Sequence, residues 1–109
     1  MFKGRIVVTL CGSTKFKAEF ERANLKESLG GKIVHSVCGF MHADNLSITK
    51  AQKEELDELH LAKIDMSDEI LVIAPGGYVG ESTKQEIEYA KITLKGIRYW
   101  GEKKGEIIS

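Results

Sequence analysis

The chain has 109 residues, and its 16 lysines and arginines balance 16 aspartates and glutamates. That length suits one compact domain whose core needs no metal or disulfide staple, and the charge balance excludes the basic footprint of a general nucleic-acid or anionic-membrane binder. No apolar run approaches the roughly 20 residues of a membrane span, and the opening run is too short for a signal peptide, so a soluble, cytoplasmic protein is expected.

Arg5 to Cys11 is a short β-branched run closed by Gly12, which reads as a buried strand. Lys15 to Leu29 places Phe16, Phe20, Ala23 and Leu29 at helical spacing, and Gly30-Gly31 stops that helix. Lys32 to Cys38 is a second strand, and Gly39 to Ile48 a loop containing Phe40, Met41 and His42. Thr49 with Gln52 forms a capping box for a second helix running to about Met66. Glu69 to Ala74 is the third strand, broken by Pro75-Gly76-Gly77. A third helix runs from about Ser82 to Leu94, and Ile97 to Trp100 is a short last strand. The domain therefore covers residues 1–100, with 101–109 as a polar C-terminal tail.

Unbroken alternation of strand and helix predicts a small, doubly wound α/β fold, Rossmann-like or flavodoxin-like. It is a three-layer sandwich around a parallel sheet of about four strands. Ligands in such sheets sit beyond the carboxyl ends of the strands, where strand order switches. The loops to inspect are thus those after the first three strands.

In the first loop, Gly12 permits close approach of a ligand, and Ser13, Thr14, Lys15 and Phe16 lead into a helix with no capping box. Its free N–H groups suit a phosphate, although Ser13 or Thr14 also serves as an ordinary cap. The glycines match neither a Walker loop nor a dinucleotide fingerprint. The third loop has Gly76, Gly77 and Gly80 before Ser82 and Thr83 open a helix. Two helix starts converging on one crevice make a cradle for a phosphorylated ligand. Glu86 lies one turn into the third helix. Thr83-x-x-Glu86 is itself a capping box, the commoner use of such a carboxylate; the alternative is a nucleophile aimed into the crevice. His60 and Asp65, on the second helix, face either crevice or solvent. Cys11 and Cys38 end apolar runs and read as small buried hydrophobes. His35, His42 and His60 lack close pairing, so neither a metal site nor any cofactor is expected.

The order of a strand ending in Cys11-Gly12-Ser13, then Asp68-Glu-Ile-Leu-Val-Ile, a glycine loop and Gln85-Glu86-Ile87-Glu88-Tyr89-Ala90 resembles the nucleoside 2-deoxyribosyltransferases and the related 2′-deoxynucleoside 5′-phosphate N-hydrolases. The likeness runs from about Ile6 to Tyr99. It implies cleavage of the N-glycosidic bond between base and deoxyribose, with Glu86, ahead of Ala90, as the nucleophile that attacks C1′. It further implies that Gly12, Ser13 and Ser82 hold a 5′-phosphate, and that the loop from Cys38 to Asp44 lies near the base, with Phe40 stacking and His42 hydrogen-bonding. The hydrolase branch carries a tyrosine where this chain has Thr9. It carries an aspartate where this chain has His60, so the leaving base would be protonated by a histidine, with Asp65 the nearest carboxylate downstream. The expected partner is a small-molecule nucleoside or nucleotide, not a nucleic acid polymer or a membrane. The expected assembly is a homodimer or larger. A non-catalytic nucleotide-binding module of the same fold, or an interaction domain in which Glu86 is only a cap, are the competing readings.

Overall fold

The computed structural model describes residues 4–40, 45, 47–103 and 106–108. Four strands run parallel: β1 (Val7–Gly12), β2 (Ile33–His35), β3 (Glu69–Ile73) and β4 (Gly96–Lys103). A fifth, β5 (Glu106–Ile108), turns back antiparallel onto β4, giving the order β2-β1-β3-β4-β5. Helices α1 (Lys17–Leu29), α2 (Lys50–Asp65) and α3 (Glu81–Ile92) fill the three crossovers. The doubly wound α/β fold expected from the alternation is thus the one observed.

Alternate residues of each strand face opposite ways, and this period divides the core. Val8, Leu10, Leu71, Ile73 and Trp100 meet Phe20 and Ala23 of α1 on one face. Cys11, Ile70, Val72 and Ala74 meet Ile64 of α2 and Ile87 and Ala90 of α3 on the other. β3 is buried on both faces after its first residue, as its continuous aliphatic run requires. Asp68 clamps its entry: the Val7 N–H donates to Asp68 Oδ2 at 2.8 Å, and the Asp68 N–H donates to the Val7 carbonyl at 2.8 Å.

The capping box of α2 forms as expected. The Gln52 N–H donates to Thr49 Oγ1 at 3.0 Å, and the Thr49 N–H donates to Gln52 Oε1 at 2.8 Å. Three expectations need correcting. β2 is only three residues long, so Cys38 sits in the loop beyond it and is exposed, while Cys11 is buried as anticipated. The last strand does not stop at Trp100: β4 continues to Lys103, and Glu106–Ile108 pairs back on it. The isoleucines at 107 and 108 supply the β-forming residues that a reading of the segment as polar tail overlooked. Third, α3 begins at Glu81 behind an N-cap Gly80 that makes no side-chain cap, so Thr83 and Glu86 do not form a capping box.

Among the described residues, no helix is long and apolar enough to cross a membrane.

Gly12 is required by its neighbours. A Cβ there would lie 2.7 Å from the Ile73 carbonyl oxygen and 3.1 Å from Ile73 Cβ. Because the first of these atoms is backbone, Gly12→Ala must force β1 and β3 apart. It is expected to destabilise the fold by about 1–3 kcal/mol, as overpacking does. Thermal melts check this, and an unchanged midpoint would mean that the strand ends spread freely.

Candidate functional site

The order β2-β1-β3 reverses direction of winding at β1, and the loops after β1 and β3 diverge there to leave a crevice. A cleft of about 380 Å³ occupies this position. Gly12, Ser13 and Thr14 line it from β1, Val37 to Gly39 from β2, and Tyr78 and Gly80 to Thr83 from the loop after β3. α2 and α3 complete it, with Lys53 and Asp57 exposed along its wall and His60 and Glu86 largely buried at its base.

The loop after β3 reaches the cleft through a turn at Pro75–Gly77, where Gly76 and Gly77 adopt φ of +64° and +82°. This left-handed region suits glycine and few other residues. Tyr78 then projects over the mouth. Lys15 Nζ lies 3.8 Å from its ring centroid, and Phe16 packs against it edge-on at 5.7 Å. Lys15 and Phe16 therefore brace the rim through Tyr78 rather than lining the cleft. Ser13 holds the first loop, accepting from the Lys15 N–H at 3.3 Å with its hydroxyl and from the Phe16 N–H at 3.1 Å with its carbonyl. At the start of α3, Ser82 accepts a hydrogen bond from Lys53, which also pairs with Asp57 at 3.0 Å.

Glu86 and His60 meet at the base of the cleft, with His60 Nε2 3.8 Å from Glu86 Oε1 and side-chain exposures of 8% and 14%. Cys11 closes the group from behind, its Sγ 3.5 Å from the same His60 nitrogen. Burial is the main influence on all three. It lifts the Glu86 carboxyl from its usual 4.5 to about 7; the Cys11 hydrogen bond pulls the value down, Asp57 pushes it up, and Lys53 lowers it again. Burial and the nearby Lys63 ammonium bring His60 from 6.5 down to about 4, against the upward pull of a hydrogen bond with the Leu10 backbone and of Asp57. The Cys11 thiol is raised by burial and then by the Glu86 charge, so it stays protonated at neutral pH. The His60–Glu86 contact thus joins an imidazole that burial holds neutral to a carboxyl whose charge burial disfavours, and is not a salt bridge.

The cleft brings together Gly12, Ser13, Thr14, Gly80, Ser82, His60 and Glu86 from the sequence reading. Three other expectations differ. Asp65 lies beyond His60 on α2, toward the amino ends of the strands, where it accepts from the Tyr89 hydroxyl at 2.6 Å. Phe40 packs on Phe20, centroids 5.4 Å apart, on the α1 face of the sheet, because that side offers an apolar surface to cover. His60, neutral at physiological pH, has no imidazolium proton to give a leaving base. Thr9, fully buried, hydrogen-bonds Ser67 and the Lys63 carbonyl and does not line the cleft. His42 and Met41 lie outside the described residues. Lys53 and Asp57 also line the cleft and were not among the expected site residues, although Lys53-x-x-x-Asp57-x-x-His60 is a helical-face pattern legible in the sequence.

No protein-family model matches the chain, and a search of curated proteins finds no match.

Proposed function

We propose that the protein cleaves the N-glycosidic bond of a deoxynucleoside or deoxynucleotide, or transfers its deoxyribosyl group, with Glu86 as nucleophile. The observation that carries this reading is the position of Glu86. It is not a helix cap; its side chain is mostly buried, at the base of a cleft walled by an uncapped helix start and the Gly12–Thr14 loop. An ionised Glu86 oxygen attacks C1′, forming an ester. The C1′–N bond breaks, and its electron pair goes to the base nitrogen, which takes up a proton from cleft water. Water or a second base then attacks C1′ from the opposite side, the ester opens, and the carboxylate returns. In hydrolysis one water is consumed, its hydroxyl ending on the sugar and its proton balancing the one taken by the base. A 5′-phosphate fits at Ser13, Ser82 and the N–H groups opening α3, with Lys53 supplying positive charge.

The test is base release from a panel of 2′-deoxynucleosides and their 5′-monophosphates, each with and without a second free base as acceptor, followed chromatographically in the presence of a chelator. Release of free base by the unaltered chain supports the reading; no release from any member overturns it. The raised Glu86 value adds a pH signature. Only the carboxylate attacks, so kcat/KM is expected to climb about tenfold per pH unit below pH 7 and level off above it. A profile already flat from about pH 5 upward would contradict attack by this carboxyl.

A further inference from the structure

We infer that Cys11, His60 and Glu86 together form a three-ligand site for a thiophilic divalent metal, Zn2+ in the first place, at the base of the cleft. Sγ, Nε2 and a carboxylate oxygen of these residues all lie within 4.8 Å of one another. The sulfur–nitrogen and nitrogen–oxygen separations are 3.5 and 3.8 Å. Tetrahedral zinc with bonds of about 2.0–2.3 Å sets its ligands about 3.5 Å apart, so two of the three edges are already close to that geometry. The residues come from β1 and from α2 and α3, the two helices packed on the face of the sheet to which Cys11 points, which fixes their mutual positions. One thiolate, one imidazole and one carboxylate select zinc over magnesium or calcium, which prefer oxygen alone. His60 and Glu86 line the cleft, so an ion enters from there, and a fourth position faces the cavity.

Binding forms an S–Zn bond and breaks the S–H bond of Cys11, with the proton released to solvent. It also engages the Glu86 carboxylate. Resting on the nucleophile reading, this makes bound zinc an inhibitor, since the oxygen that attacks C1′ becomes a metal ligand.

The test is titration of the metal-free chain with Co2+, whose thiolate complexes show a near-ultraviolet charge-transfer band and whose four-coordinate complexes absorb strongly in the visible. One cobalt per chain with both features, bleached by one equivalent of Zn2+, is expected. Cys11→Ser loses the charge-transfer band, whereas Cys38→Ser, which removes the exposed thiol at the rim, retains it. Glu86→Gln and His60→Gln, which keep Cys11, weaken cobalt binding at least about tenfold and decide the matter should Cys11→Ser fail to fold. Absence of the band, its loss in Cys38→Ser alone, or undiminished binding by both Glu86→Gln and His60→Gln overturns the site. Base release that persists with zinc bound overturns the inhibition. If no substrate releases base, the nucleophile reading fails while the cobalt spectrum still decides the site.

Discussion

Glu86→Gln is expected to lower base release by at least about 10³-fold, the scale on which loss of a nucleophile acts, while making the fold more stable above pH 7. The two effects come from one cause. Folding raises the Glu86 carboxyl to about 7 because burial disfavours its charge. The protonated form therefore favours the folded chain. Its contribution is present in full below the usual value of 4.5 and is lost as pH rises through about 7. Above that pH the unaltered protein holds a desolvated carboxylate, and glutamine removes it. The gain is on the order of 3 kcal/mol at most, from the displacement of the carboxyl value. Melts at acid and alkaline pH beside the base-release assay read both effects. A purely structural Glu86 would give the reverse: loss of stability at all pH values and no change in turnover.

The second large effect lies at the other end of the strands. Arg98 of β4 hydrogen-bonds Glu27 of α1 and Glu69 of β3, and Lys32 reaches the same two carboxylates at 3.3 and 2.9 Å. Two positive and two negative charges balance in a cluster where Glu27 is only 5% exposed. Arg98→Met leaves two carboxylates to one lysine. The expected cost is about 3 kcal/mol, the range for breaking a buried pair from one side, and a drop in Tm of at least about 10 °C. Base release below the new Tm stays unchanged, because the cluster is remote from the cleft. The pH dependence has a definite sign. Burial by itself raises Glu27 and Glu69, but the bonds and charges of Arg98 and Lys32 outweigh it and leave both below the usual carboxylate range. Their stabilisation is present above that range and is lost as pH falls through the lowered values. The variant should thus lose less than the unaltered chain on acidification. An unchanged Tm would mean that the cluster contributes nothing net.

What the sequence disclosed follows from how local each signal is. The α2 start was legible because a capping box is an interaction between residues three apart. β1 and β3 were legible because burial on both faces demands an uninterrupted apolar run. At the site, local signals competed. Thr83-x-x-Glu86 has the spacing of a cap, yet α3 begins early enough for Thr83 to be buried inside its first turn, which frees Glu86. Phe40 carried no local signal for which face of the sheet it covers. Asp65 and Asp57 are the same residue type on one helix, and only their angular position relative to His60 separates them: three residues back returns to the cleft side, five residues on does not. Cys11 looked like core and is core. Its thiol nonetheless sits beside the polar pair, because its strand position faces both helices that carry them.

The position of β1 bears on how the protein is made. It is an inner strand, paired with β2 on one side and with β3 on the other, and the Val7–Asp68 bond at the second edge spans 61 residues. On a ribosome adding about 5–20 residues per second, β1, α1 and β2 emerge seconds before β3. For that interval an apolar strand presents an unpaired edge, the kind of surface that recruits other chains. The His60–Glu86 pair cannot form until α3 has been synthesised, so no nascent chain that ends before Glu86 carries the complete cleft.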